Sequence, residues 1–267
     1  MRYAALREAN ALQRVLFAIE FSREFSETEF SAFGHPSYPW VRELPRRSVS
    51  NAVSLQIPTN RIVPEENKVV GLSYELFKND GSIKSGLKFD NKHILFIVGE
   101  YTSWNEIWPN ACRYLKPALG LALNNNSIVS FAVEYTDLFF ATGDYSRFDA
   151  RKLLKLGSEY VPPHVFDRTQ NFHFYTGFFK TLLDPAEHRV LTRINADLKD
   201  GAKRDERELS IVLYHQILAR HDPWGGKLEL DGKVVERGLD NFSTLHDIDK
   251  ATLKEILNPN MAQEIGL

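Results

Sequence analysis

Between Ala52 and Tyr101 the chain alternates short runs of β-branched and aromatic residues with turn-forming breaks. AVSLQI, VVGLSYELF, SIKSGLKF and HILFIVGEY are separated by PTNR, NDGS and DNK. Gly and Asn at such breaks accept the positive φ that tight hairpin turns demand, so the segment predicts an antiparallel meander. A meander buries one face and needs a layer to cover it. The next segment supplies one: Trp104, Ile107, Trp108, Ala111, Leu115, Leu119 and Leu123 recur at helical spacing, with Thr102 or Ser103 as N-cap and Asn124, Asn125 and Asn126 as the stop. Pro109 and Pro117 are expected to bend or split that helix.

The same alternation appears elsewhere. LQRVLFAIEF (Leu12 to Phe21) reads as a buried strand, and Ser26 with Glu29 has capping-box spacing for a short helix over Glu27 to Phe33. GHPSYPW and ELPRR, rich in Pro and Gly, read as a wandering connection. SIVSFAVEYTDLFF, NFHFYTGFFKTL, HRVLTRINADL and RELSIVLYHQIL are further strands, followed by a short hairpin around Asp231 and Gly232. A closing helix over Thr244 to Leu257 carries Leu245, Ile248, Leu253, Ile256 and Leu257 on one face. The expected fold is α+β, with antiparallel sheets each packed by a helix. Strands and helix over Leu87 to Phe140 are echoed over Phe172 to Leu257, which suggests two related β-rich halves dividing near Asp184 and Pro185. The halves, 1–183 and 184–267, can equally pack as one domain.

Composition excludes several classes of function. Lys and Arg number 33 against 35 Asp and Glu, so the net charge of -2 does not favour nucleic acid as a partner. The single cysteine, Cys112, rules out an internal disulfide framework and a thiolate zinc site, and fits a reducing, cytoplasmic compartment. No apolar run approaches the ~18 residues of a membrane span, so no membrane insertion is expected.

No phosphate-binding loop, dinucleotide-binding glycine motif or serine-hydrolase elbow is present, and Gly225-Gly226-Lys227 reads as a plain turn. A metal site could be built from His215, His221, Asp222 and His246 if strand, loop and last helix converge, although their spacing matches no zinc motif. Cys112, mid-helix, reads as a structural thiol. Tyr101, Trp104, Trp108 and Tyr135 could hold a ligand or partner between sheet and helix. The aromatics Phe172, Phe174, Tyr175, Phe178 and Phe179 fall on both faces of one strand, which fits core packing more simply than base stacking. The charged runs Glu43 to Arg47 and Lys199 to Arg207 read as solvated loops.

Tyr101 and Trp104 at a helix start, Val133-Glu134-Tyr135-Thr136 in a strand, and Leu245-His246 opening the last helix form a set. In this set the chain resembles a sporadically distributed prokaryotic family of uncharacterised proteins of about this length. Members have a Y-x-x-W helix start, a GLRYIN-like strand and an LH helix near the C-terminus. Glu134 stands where that family has Arg, and Thr136 or Asp137 where it has Asn. The resemblance implies no enzymatic activity and no particular cofactor. Its patchy distribution implies a bacterial accessory protein, of the kind found in phage-defence or toxin-linked systems, acting through a protein partner as a hetero- or homo-oligomer. Two other expectations are a metal-dependent hydrolase or nucleotide-processing enzyme using the late His/Asp residues, and a small-ligand sensor using the Tyr/Trp set.

Overall fold

The computed structural model describes residues 1–52, 55–56, 63–64, 68–167, 171–181, 189–203, 205–218 and 232–267. The strands are β1 (Arg2–Ala5), β2 (Leu12–Phe21), β3 (Arg46–Ala52), β4 (Leu55–Gln56), β5 (Val63–Pro64), β6 (Lys68–Phe77), β7 (Ile83–Asp90), β8 (His93–Val98), β9 (Ile128–Thr142), β10 (Phe172–Thr181), β11 (Arg189–Asp200) and β12 (Glu206–Leu218). The helices are α1 (Glu27–Phe33), α2 (Pro39–Glu43), α3 (Trp104–Ala122), α4 (Gly232–Ile256) and α5 (Pro259–Glu264).

Ten of the strands form one antiparallel sheet in the order β10-β11-β12-β9-β2-β8-β7-β6-β3, with β1 also on β9, while β4 and β5 pair separately. The fold is therefore α+β. The element order runs twice. From β2, a connection leads to a meander whose last strand, β8, returns beside β2 before α3; from β9, another leads to β10, β11 and β12, which returns beside β9 before α4. The antiparallel pair β2·β9 joins the two sets at the middle of the sheet. The division expected near Asp184 and Pro185 lies outside the described residues.

Local chemistry explains most elements. Gly81 (φ 82°) and Asn91 (φ 45°) take the positive φ of the β6–β7 and β7–β8 turns. Ser26 accepts from the Glu29 amide at 3.3 Å while the Glu29 carboxylate accepts from the Ser26 amide at 2.7 Å, closing the capping box of α1.

Other elements depart from the sequence reading. Arg46–Ala52 is an edge strand and not a wandering loop, because β6 pairs with it along its length, with one register shift between Ser50 and Asn51. Helix α3 is continuous through Pro109 and Pro117. The carbonyls these prolines free belong to Asn105 and Arg113, both exposed, so water can satisfy them while Ala111, Leu115, Ala118 and Leu119 anchor the helix in the core. Gly232 opens α4 in place of a hairpin, since Val235, Leu239 and Phe242 extend the apolar stripe of Leu245 toward the N-terminus. No helix among the described residues is long and apolar enough to cross a membrane.

Helices α3 and α4 lie side by side over one face of the sheet, with Trp108 meeting Phe242 at 5.7 Å between ring centres. On that face β2 presents Val15, Phe17, Ile19 and Phe21, and β8 presents Ile94, Phe96 and Val98, all buried. Alternate positions point to the opposite face, where Arg14 pairs with Glu134 at 2.6 Å. The core divides into two apolar clusters. One gathers β2, β6–β8 and α3 with Phe242 and Leu245 of α4; the other gathers Phe139, Ile194, Leu198, Leu209, Ile211 and Leu213 with Leu253 and Ile256 of α4. What separates them is polar.

Candidate functional site

Along the core-facing side of β9 the residues read Phe131, Val133, Tyr135, Asp137, Phe139 and Ala141, all buried. Strand alternation demands an apolar side chain at position 137 and finds a carboxylate. Helix α4 repeats the substitution: between Leu245 and Leu253, one turn from each, the inward position holds Asp249. On β12 the inward position between Leu213 and Ile217 is His215, and its cross-strand partner on β11 is Thr192. Four elements thus each contribute one polar group to a single layer between the two apolar clusters.

That layer is incompletely satisfied. Thr192 Oγ1 and His215 Nδ1 share a hydrogen bond of 3.0 Å. His215 Nε2 lies 3.3 Å from Asp249 Oδ1, but out of hydrogen-bonding alignment, and both atoms lack any other partner. Asp137 Oδ2 is likewise buried without a partner. Exposure is 1% for Asp137, 4% for Asp249 and 0% for His215. Burial pushes both carboxyls well above the ordinary carboxylate range, and the charge of Asp249 raises Asp137 further. Burial also holds the His215 imidazole down at about 4, hence neutral at physiological pH. A neutral imidazole forms no true ion pair with Asp249, so the 3.3 Å approach is a contact and not a salt bridge.

A cleft of about 240 Å³ opens onto this layer. Its floor includes Asp137 and Asp249; its walls are Tyr101 to Trp104 at the start of α3, His246 and Leu253 of α4, the turn Ala9 to Leu12, and Ile265 to Leu267; Lys250 stands exposed at the rim. The turn is closed by the Arg7–Asn10 bridge, and Arg7 Nη1 donates to the carbonyls of Leu12 (3.1 Å) and Tyr101 (3.4 Å). Burial, reinforced by Asp249 and Asp137, pushes the Tyr101 hydroxyl up to about 12.

The structure brings Tyr101, Trp104, Tyr135 and His246 together. Trp104 is stacked between His246 (4.0 Å, 4°) and Trp108 (5.2 Å, 8°), and the Tyr135 hydroxyl shares a 3.0 Å hydrogen bond with His246 Nδ1. His246 is held down at about 4, first by burial and then by Lys250. Trp108 does not line the cleft; it backs Trp104 and fills the core beside Phe17 and Phe242. His215 sits beneath the cleft, beside Asp249. His221 and Asp222, with Trp224 and Gly225-Gly226-Lys227, lie outside the described residues. Among the described residues no three His, Cys, Asp or Glu side chains are grouped to hold a metal ion.

The other sequence-stated features separate cleanly. Phe172 and Phe174 are buried while Tyr175 and Phe179 are exposed, so β10 uses one face for the core and shows the other. Cys112 is half-buried with its thiol pushed up to about 11 by burial, which keeps it protonated. Sequence reasoning missed Asp137 and Asp249. Each was visible as an acid on an otherwise apolar stripe, at period 2 in β9 and at helical period in α4. Compared with models of known protein families and with curated proteins, the chain matches none.

Proposed function

We propose that this is a non-enzymatic binding protein, acting in the cytoplasm, that recognises a small molecule in the cleft between the start of α3 and the middle of α4. One observation carries the reading: Asp137 and Asp249 are buried carboxyls, each with one oxygen that lacks a hydrogen-bond partner, and both line an accessible cleft. Leaving a buried polar group unpaired costs roughly 1–3 kcal/mol, more for a carboxyl that ionises, and such costs concentrate where a ligand supplies the missing partner. The metal-enzyme reading gains no such support, because among the described residues no three His, Cys, Asp or Glu side chains are grouped to hold a metal ion.

Fluorescence and thermal-shift screening with a small-fragment set of mixed charge tests the reading. Cleft binders should raise the melting temperature of the native protein and perturb emission from Trp104. They should fail with Ala9→Trp, a substitution at an exposed rim position that leaves the core untouched. Fragments that bind both proteins equally, or none that bind at all, would remove the cleft as a site.

A protein partner has its own support in the exposed Tyr175 and Phe179, which lie on β10 at one edge of the sheet. If they form that interface, Phe179→Asp should abolish a complex recovered from native cells. A complex that survives it places the partner elsewhere.

A further inference from the structure

We infer that the ligand of the cleft is an organic cation, carrying a protonated amine or guanidinium group that docks on Asp137 and Asp249. This rests on the reading of the cleft as a ligand site and adds the chemistry of what fills it.

Asp137 and Asp249 line the floor, and each keeps a buried carboxyl oxygen without a hydrogen-bond partner, Oδ2 and Oδ1 respectively, the latter 3.3 Å from His215 Nε2. A carboxylate out of water needs N–H donors, positive charge, or both. The nearby cations do not supply them: Arg7 Nη1 is spent on the carbonyls of Leu12 and Tyr101, and Lys250 is exposed at the rim. An anionic ligand would be repelled by either carboxyl as it ionises, and a neutral one would bring donors without the charge that favours the ionised form. A primary ammonium brings three donors and a guanidinium five, each with a positive charge, so either supplies both the donors and the charge that a buried carboxylate needs. The apolar side chains of Leu12, Trp104 and Leu253 in the lining lower the local dielectric, which strengthens the attraction.

A metal ion fits less well. Calcium asks for six to eight oxygen ligands and zinc for about four, whereas no three potential ligands are grouped among the described residues. The cleft of about 240 Å³ has room for a small molecule around the charged head.

Calorimetric titration with probes matched in shape but not in charge tests this. Methylguanidinium is set against methylurea and putrescine against 1,4-butanediol, with acetate and the chlorides of calcium, magnesium and zinc as further arms. The expected result is that a cationic probe binds on the order of tenfold or more tightly than its neutral counterpart. Asp249→Asn and Asp137→Asn, which keep shape and remove charge, should each erase that preference in protein whose circular dichroism is native. Asp247→Asn, exposed on the same helix, should leave it intact. The assignment is overturned if the neutral probe or acetate binds as tightly, if a divalent metal binds in an Asp249-dependent way, or if both Asn variants keep the cationic preference. Failure of every fragment in the mixed-charge screen would instead sink the cleft reading itself; cleft-dependent binders without a cation among them would sink only the cation.

Discussion

The layer between sheet and α3 and the layer between sheet and α4 arise from the same order of elements, yet they are filled differently. Under α3 the inward positions of β2 and β8 meet Ile107, Ala111, Leu115 and Leu119 with no charged group between them. Under α4 the same kind of interface is interrupted by Asp137, Thr192, His215 and Asp249. Apolar packing of the first kind lowers free energy wherever it occurs, by roughly 1.5–3 kcal/mol per large side chain. The second kind raises it unless something else completes the hydrogen bonds. One half is built for stability, and the other has stability withdrawn at one level.

The largest test of this contrast is Phe17→Ala. Phe17 is fully buried and touches Phe96, Trp104, Trp108 and Phe242, so its truncation should cost about 3–5 kcal/mol in denaturant unfolding. A loss under ~1 kcal/mol would mean that the α3 side is not the tightly packed one.

The next is acid. The folded chain holds the His215 pKa at about 4, while an unfolded histidine titrates near 6.5. Between those values the unfolded state binds more protons, so stability is full above 6.5 and falls as the pH drops toward 4. The difference corresponds to roughly 3 kcal/mol; His246, held down to the same value, adds to the slope over the same window, so His215→Gln should reduce that slope and a second change, His246→Gln, should flatten it. An unchanged slope in the variant would show that His215 is not the group being charged.

Asp249→Asn should act in the opposite direction and stabilise the ligand-free protein by roughly 1–3 kcal/mol near neutral pH. Its folded pKa is raised, so its contribution is fully present below the unfolded value and is lost as the pH rises toward the folded one. The gain from Asn should therefore grow with pH, which unfolding curves at pH 6 and 8 would reveal; a destabilised variant at both would show that the carboxylate is already paired. The smallest effect belongs to the cap of α1, where Ser26→Ala should cost about 1 kcal/mol and leave ligand binding unchanged.

Much of the fold could be read directly from residues. The bounds of β2 and α1 follow from an unbroken alternation and from a capping box, both local signals. Edge strand β3 and the early start of α4 were hidden because each depends on a distant partner: β6 for the former, and Phe131 and the α3 aromatics for the latter. The site divides in the same way. Tyr101, Trp104, Tyr135 and His246 stood out as residue types, and the structure does gather them. Asp137 and Asp249 were legible only as exceptions to a period, an inference that needs the period of both elements to be trusted first. Trp108 misleads because helical spacing gives it the same standing as Trp104, while only Trp104, at the start of α3, lines the cleft and Trp108, one turn on, packs against Phe17 and Phe242.

Strand β9 pairs with β12 on one side and with β1 and β2 on the other, and it sends side chains into both apolar clusters. Neither cluster can come apart without tearing the ladder that holds the other. Unfolding should accordingly register as one transition by every probe, and refolding should be slow, since β2 must find a partner more than a hundred residues further along the chain before either half is complete.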